Sequence, residues 1–123
     1  MSRIQKAFEN KKAFIAFLTA GDPSLDKTEE YILEMERAGA DLIEIGIPFS
    51  DPIAEGLVIQ EADIRALSGG VTTDDIFDMV KKLREKTEIP LVFMTYLNPV
   101  FHYGYEASVS YTHLRAHETS LHL

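Results

Sequence analysis

Cysteine is absent from this 123-residue chain, which excludes disulfides and thiolate metal sites and permits a reducing compartment. Positive charge is scarce as well: 12 Lys and Arg stand against 20 Asp and Glu, a formal net charge of −8. Nucleic acid and anionic membrane both need a basic face, so neither is an expected partner. An anionic small molecule is still compatible, held by backbone N–H groups or a few placed cations. No apolar run approaches the roughly 20 residues that span a bilayer. Residues 1–12 are polar and charged and lack the apolar core of a signal peptide, so the expected location is the cytoplasm. Neither GxGxxG nor GxxxxGK[ST] occurs, which leaves dinucleotide and P-loop binding without support. What remains is an ordinary globular balance, 46% hydrophobic and 26% charged, suited to one small domain or a piece of a larger one.

The apolar residues fall into an alternating rhythm. The run Ala13 to Leu18 is short, apolar throughout and stopped by Gly21-Asp22-Pro23, as a strand covered on both faces would be. A helix follows, with Asp26 as N-cap, Glu29 three residues on, an apolar face of Tyr31, Ile32, Met35 and Ala38, and Gly39 closing it. Asp41 to Ile47 reads as the second strand, and a loop from Pro48 to Gly56 leads into a helix over Leu57 to Ser68 that Gly69-Gly70 ends. Thr72 caps a further helix whose apolar face is Ile76, Met79, Val80 and Leu83. Pro90 opens a third strand, Leu91 to Tyr96; Asn98-Pro99 breaks it, with a helix starting near Val100. Strands alternating with helices predict βαβ units and a parallel sheet, either a barrel or an open doubly wound sheet. Both place function beyond the carboxyl ends of the strands. From about Ala107 the rhythm stops, and the last 17 residues hold three of the four histidines, which marks a junction near residue 107.

Few residues carry chemistry. Glu44 interrupts an apolar strand and shares a face with Leu42 and Gly46, while Ile43 and Ile45 point the other way. An unpaired buried carboxylate is costly, so Glu44 is either turned to solvent or part of a site. Its place near the strand's C-terminal end tips the reading toward a site, as a general acid/base. Asp51 and Glu55 lie in the following loop; each serves equally as a solvated loop acid or a cap, and Glu55 precedes a helix whose dipole favours its charge. Phe17, Met94 and Tyr96 are candidates for an apolar pocket or for barrel core. His113 and His117 have the i, i+4 spacing of metal ligands, but Glu118 follows the second histidine and no third ligand is evident. No metal site is assigned.

These residues also resemble a known family. Phe17-Leu18-Thr19-Ala20-Gly21-Asp22-Pro23 is similar to the first strand and turn of tryptophan synthase alpha subunits. Leu42 to Gly56, with its Glu-Ile-Gly-Ile-Pro-Phe-Ser-Asp-Pro core, resembles their signature, and Val58-Ile59-Gln60 continues it. Ala66 to Thr72 and Met94 to Phe101 fit as well. The resemblance covers residues 1–106; residues 107–123 instead resemble a peptide read through from sequencing-adapter DNA.

The resemblance implies an α/β fold, the N-terminal part of a (β/α)8 TIM barrel, with about three of its eight strands present. It implies a lyase that cleaves indole-3-glycerol phosphate to indole and glyceraldehyde 3-phosphate in tryptophan biosynthesis. Glu44 then matches the acid/base that moves protons between the indole ring carbon and the glycerol hydroxyl. Glu55 matches the second catalytic acid, which holds the indole N–H. Phe17 and Met94 fall where the indole ring packs. Pro48 and Asp51 fall where the alpha subunit meets a beta subunit, in an alpha2beta2 complex. Pyridoxal phosphate belongs to that beta partner, so no cofactor is expected in this chain. Two departures stand out. Glu55 replaces the usual Asp, adding a methylene and about 1.5 Å of reach, and Leu57 replaces a common proline. A barrel of this kind takes about 250 residues, with a phosphate site after strands seven and eight. The 123-residue chain is therefore expected to be inactive alone. The alternative is a non-catalytic, incomplete module that binds a beta subunit or self-associates.

Overall fold

The computed structural model describes residues 3–9, 11–50 and 55–96. Along the chain these form α1 (Arg3–Ala7), β1 (Ile15–Thr19), α2 (Leu25–Arg37), β2 (Leu42–Gly46), α3 (Leu57–Ser68), α4 (Thr73–Leu83) and β3 (Leu91–Met94). The three strands make one parallel sheet in the order β1-β2-β3. The expected alternation is therefore present, with strand limits a residue or two different from those the apolar runs suggest. The segment at 97–123, including the helix expected near Val100, the junction near 107 and His113 and His117, lies outside the described residues. The short α1 was not foreseen in a polar stretch; of its residues only Ala7 is buried.

The helix caps explain where the elements begin and end. Helix α2 starts earlier than expected: Ser24, not Asp26, is its N-cap, with extended backbone and a hydroxyl that accepts from the Lys27 N–H at 3.2 Å. Glu29 is not a capping partner; it is buried and pairs with Lys86 at 2.6 Å. The buried stripe is Thr28, Glu29 and Ile32, with Met35 partly buried beside it, while Tyr31 and Ala38 of the expected face are exposed. At the other end Gly39 takes φ +112°. Its N–H bonds to Glu36 C=O and that of Ala40 to Met35 C=O, each at 3.0 Å, the paired bonds of a Schellman motif. Helix α4 begins on a reciprocal cap between Thr72 and Asp75, and Ile76, Phe77, Met79, Val80 and Leu83 are all buried.

The sheet has two unlike faces. Ala16 and Leu18, Ile43 and Ile45, Leu91 and Phe93 share one side by register. They join Ile32 and the α4 residues in the core, where Phe77 meets Phe93 edge to face at 5.2 Å. The opposite side carries Ile15, Phe17, Glu44, Val92 and Met94 in adjoining register. Here Ile15 is 40%, Phe17 38% and Met94 40% exposed. The expectation that the first strand is covered on both faces holds only in part: among the described residues Ile15 and Phe17 stand exposed on this side, whereas Thr19 and Leu42 on the same side are 6% and 3% exposed.

Candidate active site

The open sheet face gathers three of the expected site residues. Glu44 lies beside Phe17 in the pairing of β1 with β2, and Gly46, two residues on, lies beside Met94 of β3. Residues two apart on a strand project to one side, so Glu44, Phe17 and Met94 share it. Glu44 is half-buried. The absence of a side chain at Gly46 is what lets the Phe17 ring lie over the strand: a Cβ there would stand 2.7 Å from Phe17 Cζ. An acid beside a ring-sized apolar surface follows directly from the register.

The loop after β2 supplies the second acid. Pro48 is buried and Phe49 stacks its ring on Tyr96 with centroids 5.0 Å apart. Asp51 lies outside the described residues. Glu55 immediately precedes Gly56, the N-cap of α3, which has no side-chain cap bond. The Gln60 side-chain amide donates to the Glu55 C=O at 2.8 Å, holding the backbone of that residue against the first turn of the helix. The Glu55 carboxylate oxygen Oε2 is buried without a hydrogen-bond partner.

Asp63 was not anticipated. It stands within α3, 3% exposed, next to buried Ala62 and one turn from buried Ala66. Side chains on a helix lean toward its N-terminus, which brings the Asp63 carboxyl back to the Phe49 N–H and to Glu55. Burial pushes its pKa up to about 6, and the negative charge of Glu55 adds to this; the Phe49 N–H pulls the other way. Its Oδ2 is buried and unpartnered. The signal in the sequence was an acid one turn before Ala66, among the apolar residues of a helix face.

The turn after β1 has a structural task. Gly21, at φ +89°, gives its N–H to Thr28 Oγ1 at 2.9 Å, and its missing Cβ leaves room for Val71, which would otherwise lie 3.1 Å away. Asp22 takes Arg65 of α3 in a two-pronged ion pair at 2.9 and 3.0 Å. That pair raises the Arg65 pKa further. No group of three or more His, Cys, Asp or Glu able to hold a metal occurs among the described residues, and no helix there is long and apolar enough to cross a membrane.

A parallel βαβ sheet with Glu44 and Glu55 at and beyond the carboxyl end of β2 fits the opening of a (β/α)8 barrel, whose sites lie at that end. Residues 4–118 match the family described as tryptophan synthase alpha chain, and the chain belongs to that family. It is 53% identical over 115 residues to the tryptophan synthase alpha chain of Geotalea uraniireducens, covering 89% of this chain and 43% of that one. It is 58% identical over 97 residues to that of Alkaliphilus metalliredigens, covering 79% and 36%. Among solved structures, tryptophan synthase subunit alpha from Legionella pneumophila superposes with a TM-score of 0.88 at 40% identity, over 94% of this chain and 47% of that one. The tryptophan synthase complex from Pyrococcus furiosus superposes with a TM-score of 0.79 at 40% identity, over 84% and 42%. The chain thus spans less than half the length of these relatives.

Proposed function

We propose that this chain carries the acid/base part of a lyase site that, in the whole protein, splits indole-3-glycerol phosphate into indole and glyceraldehyde 3-phosphate. The observation that supports this most is the shared sheet face: a half-buried carboxyl at Glu44 between the exposed apolar side chains of Phe17 and Met94. An indole ring lies on that apolar surface with its reacting carbon toward Glu44. As the acid, Glu44 protonates the ring carbon that bears the glycerol chain, and the positive charge spreads to the ring nitrogen. Glu55 accepts the hydrogen bond of that N–H and stabilises the positive charge that develops on the ring. The Glu44 carboxylate then takes the proton of the neighbouring hydroxyl. The carbon–carbon bond breaks, its electron pair returns to the ring, and an aldehyde leaves.

The 123-residue chain alone should turn over no substrate, because the phosphate site of such barrels follows strands seven and eight and the described residues reach only the third strand. Turnover by the purified chain that disappears in Glu44→Gln would overturn that statement. In the whole protein, Glu44→Gln should lower kcat by about 10²–10⁴-fold, the range for removing a general acid/base. Glu55→Asp should retain activity and Glu55→Ala abolish it; equal rates for all three would remove Glu55 from the mechanism. The loop with Pro48 and Asp51 is the proposed contact with a beta subunit. Pyridoxal phosphate belongs to that partner, and this chain needs no cofactor of its own. The partly uncovered sheet face favours one further reading, an incomplete module that self-associates instead of catalysing.

A further inference from the structure

Glu55 and Asp63 pose a problem of hydrogen bonding that the reaction does not explain. Each has a buried carboxylate oxygen with no donor, Oε2 of Glu55 and Oδ2 of Asp63, and Asp63 is 3% exposed. Ionised carboxylates only accept, so two of them side by side cannot satisfy one another. A single proton between them supplies the missing O–H donor and removes one of two like charges. We propose that Asp63 is a positioning residue that shares a proton with Glu55, so that the second acid of the site is aimed by the first turns of α3.

The surroundings fit a shared proton. Among the described residues, the α3 cation nearest in sequence, Arg65, is occupied by Asp22 at the end of β1. The other titratable groups on the neighbouring elements are Glu61 on α3, Glu44 on β2 and Tyr96 beyond β3. Among the described residues the backbone N–H of Phe49 is a donor directed at Asp63. When the proton is present, Asp63 donates to Glu55; when it leaves, Glu55 needs another donor. In the reaction proposed above that donor is the substrate N–H, so the inference rests on that reading for its use but not for its test.

The test follows carboxyl ¹³C shifts of the 123-residue chain through a pH titration, without substrate. The expected result is that the Asp63 carboxyl gains its charge well above the ordinary carboxyl range, at about 6. Glu55→Gln should lower the Asp63 midpoint, because the neighbouring negative charge and proton acceptor are gone. An Asp63 midpoint in the ordinary carboxyl range in the unaltered chain would overturn the proposal, and those spectra decide the matter even if a variant fails to fold. An Asp63 midpoint unmoved by Glu55→Gln would overturn it too, since burial alone would then set the value. Because no turnover is measured, failure here is distinct from loss of activity on Glu55→Ala.

Discussion

Between about pH 4 and pH 6 Asp63 holds a proton in the folded chain that it gives up on unfolding, because burial pushes its pKa from the ordinary 3.8 up to about 6. Stability therefore falls as pH rises from about 4 to about 6 and is flat in this respect beyond. Asp63→Asn keeps the shape and lacks the titration. Its stability relative to the unaltered chain should improve across that window and hold steady above it. Urea midpoints at pH 4.5 and 7.5 check this, and a pH-independent difference would show that Asp63 is not the titrating group. At Gly46 the argument is steric. A methyl there displaces the Phe17 ring, and since that ring is 38% exposed it has room to swing away. Gly46→Ala should therefore cost at most about 1 kcal/mol, the low end of overpacking. In the whole protein it should raise KM more than it lowers kcat, because the ring surface is moved and Glu44 is not.

Thr28 illustrates what a helix contributes beyond its apolar stripe. Its buried hydroxyl accepts from the Gly21 N–H and donates to the Ser24 C=O at 2.8 Å, joining the β1 turn to the start of α2. Thr28→Val keeps the volume and orphans that N–H, for an expected loss of about 1–3 kcal/mol in chemical unfolding. Thr72→Ala should lose about 1 kcal/mol through the cap of α4. Elements of this kind were legible wherever burial is one-sided and periodic: α4 was read in full from Ile76, Met79, Val80 and Leu83. Helix α2 departs from expectation because Asp26 and Glu29 have the right spacing for a cap, while the real cap is Ser24, two residues earlier, and Glu29 turns instead to Lys86, which lies far along the chain. Glu44 was legible because period two is rigid. Asp63 was not, because its meaning comes from Phe49 and Glu55, which only the folded loop brings to it.

For the whole molecule the unlike faces of the sheet decide behaviour. The side facing the helices is closed by Ile32, Phe77, Val80 and Leu83, whereas Ile15, Phe17 and Met94 stand open on the other. Apolar surface of that kind drives association, and the strand edges add unpaired backbone groups. The 123-residue chain should accordingly sediment as concentration-dependent oligomers, and replacing Ile15 with a lysine should shift it toward monomer. A monomer at every concentration for both chains would show that this face is not sticky.

The grip of Asp22 on Arg65 has a reach of its own. Arg65 and Asp63 sit two positions apart on α3, about 200° around the helix, so the helix is fastened outward to the first strand's turn while it leans inward on Glu55. The first βα unit thereby sets the angle at which the second presents its acid. Loosening that fastening with Asp22→Asn should be felt as a displaced proton equilibrium at Asp63, a remote tuning of the site by a turn that never meets the substrate.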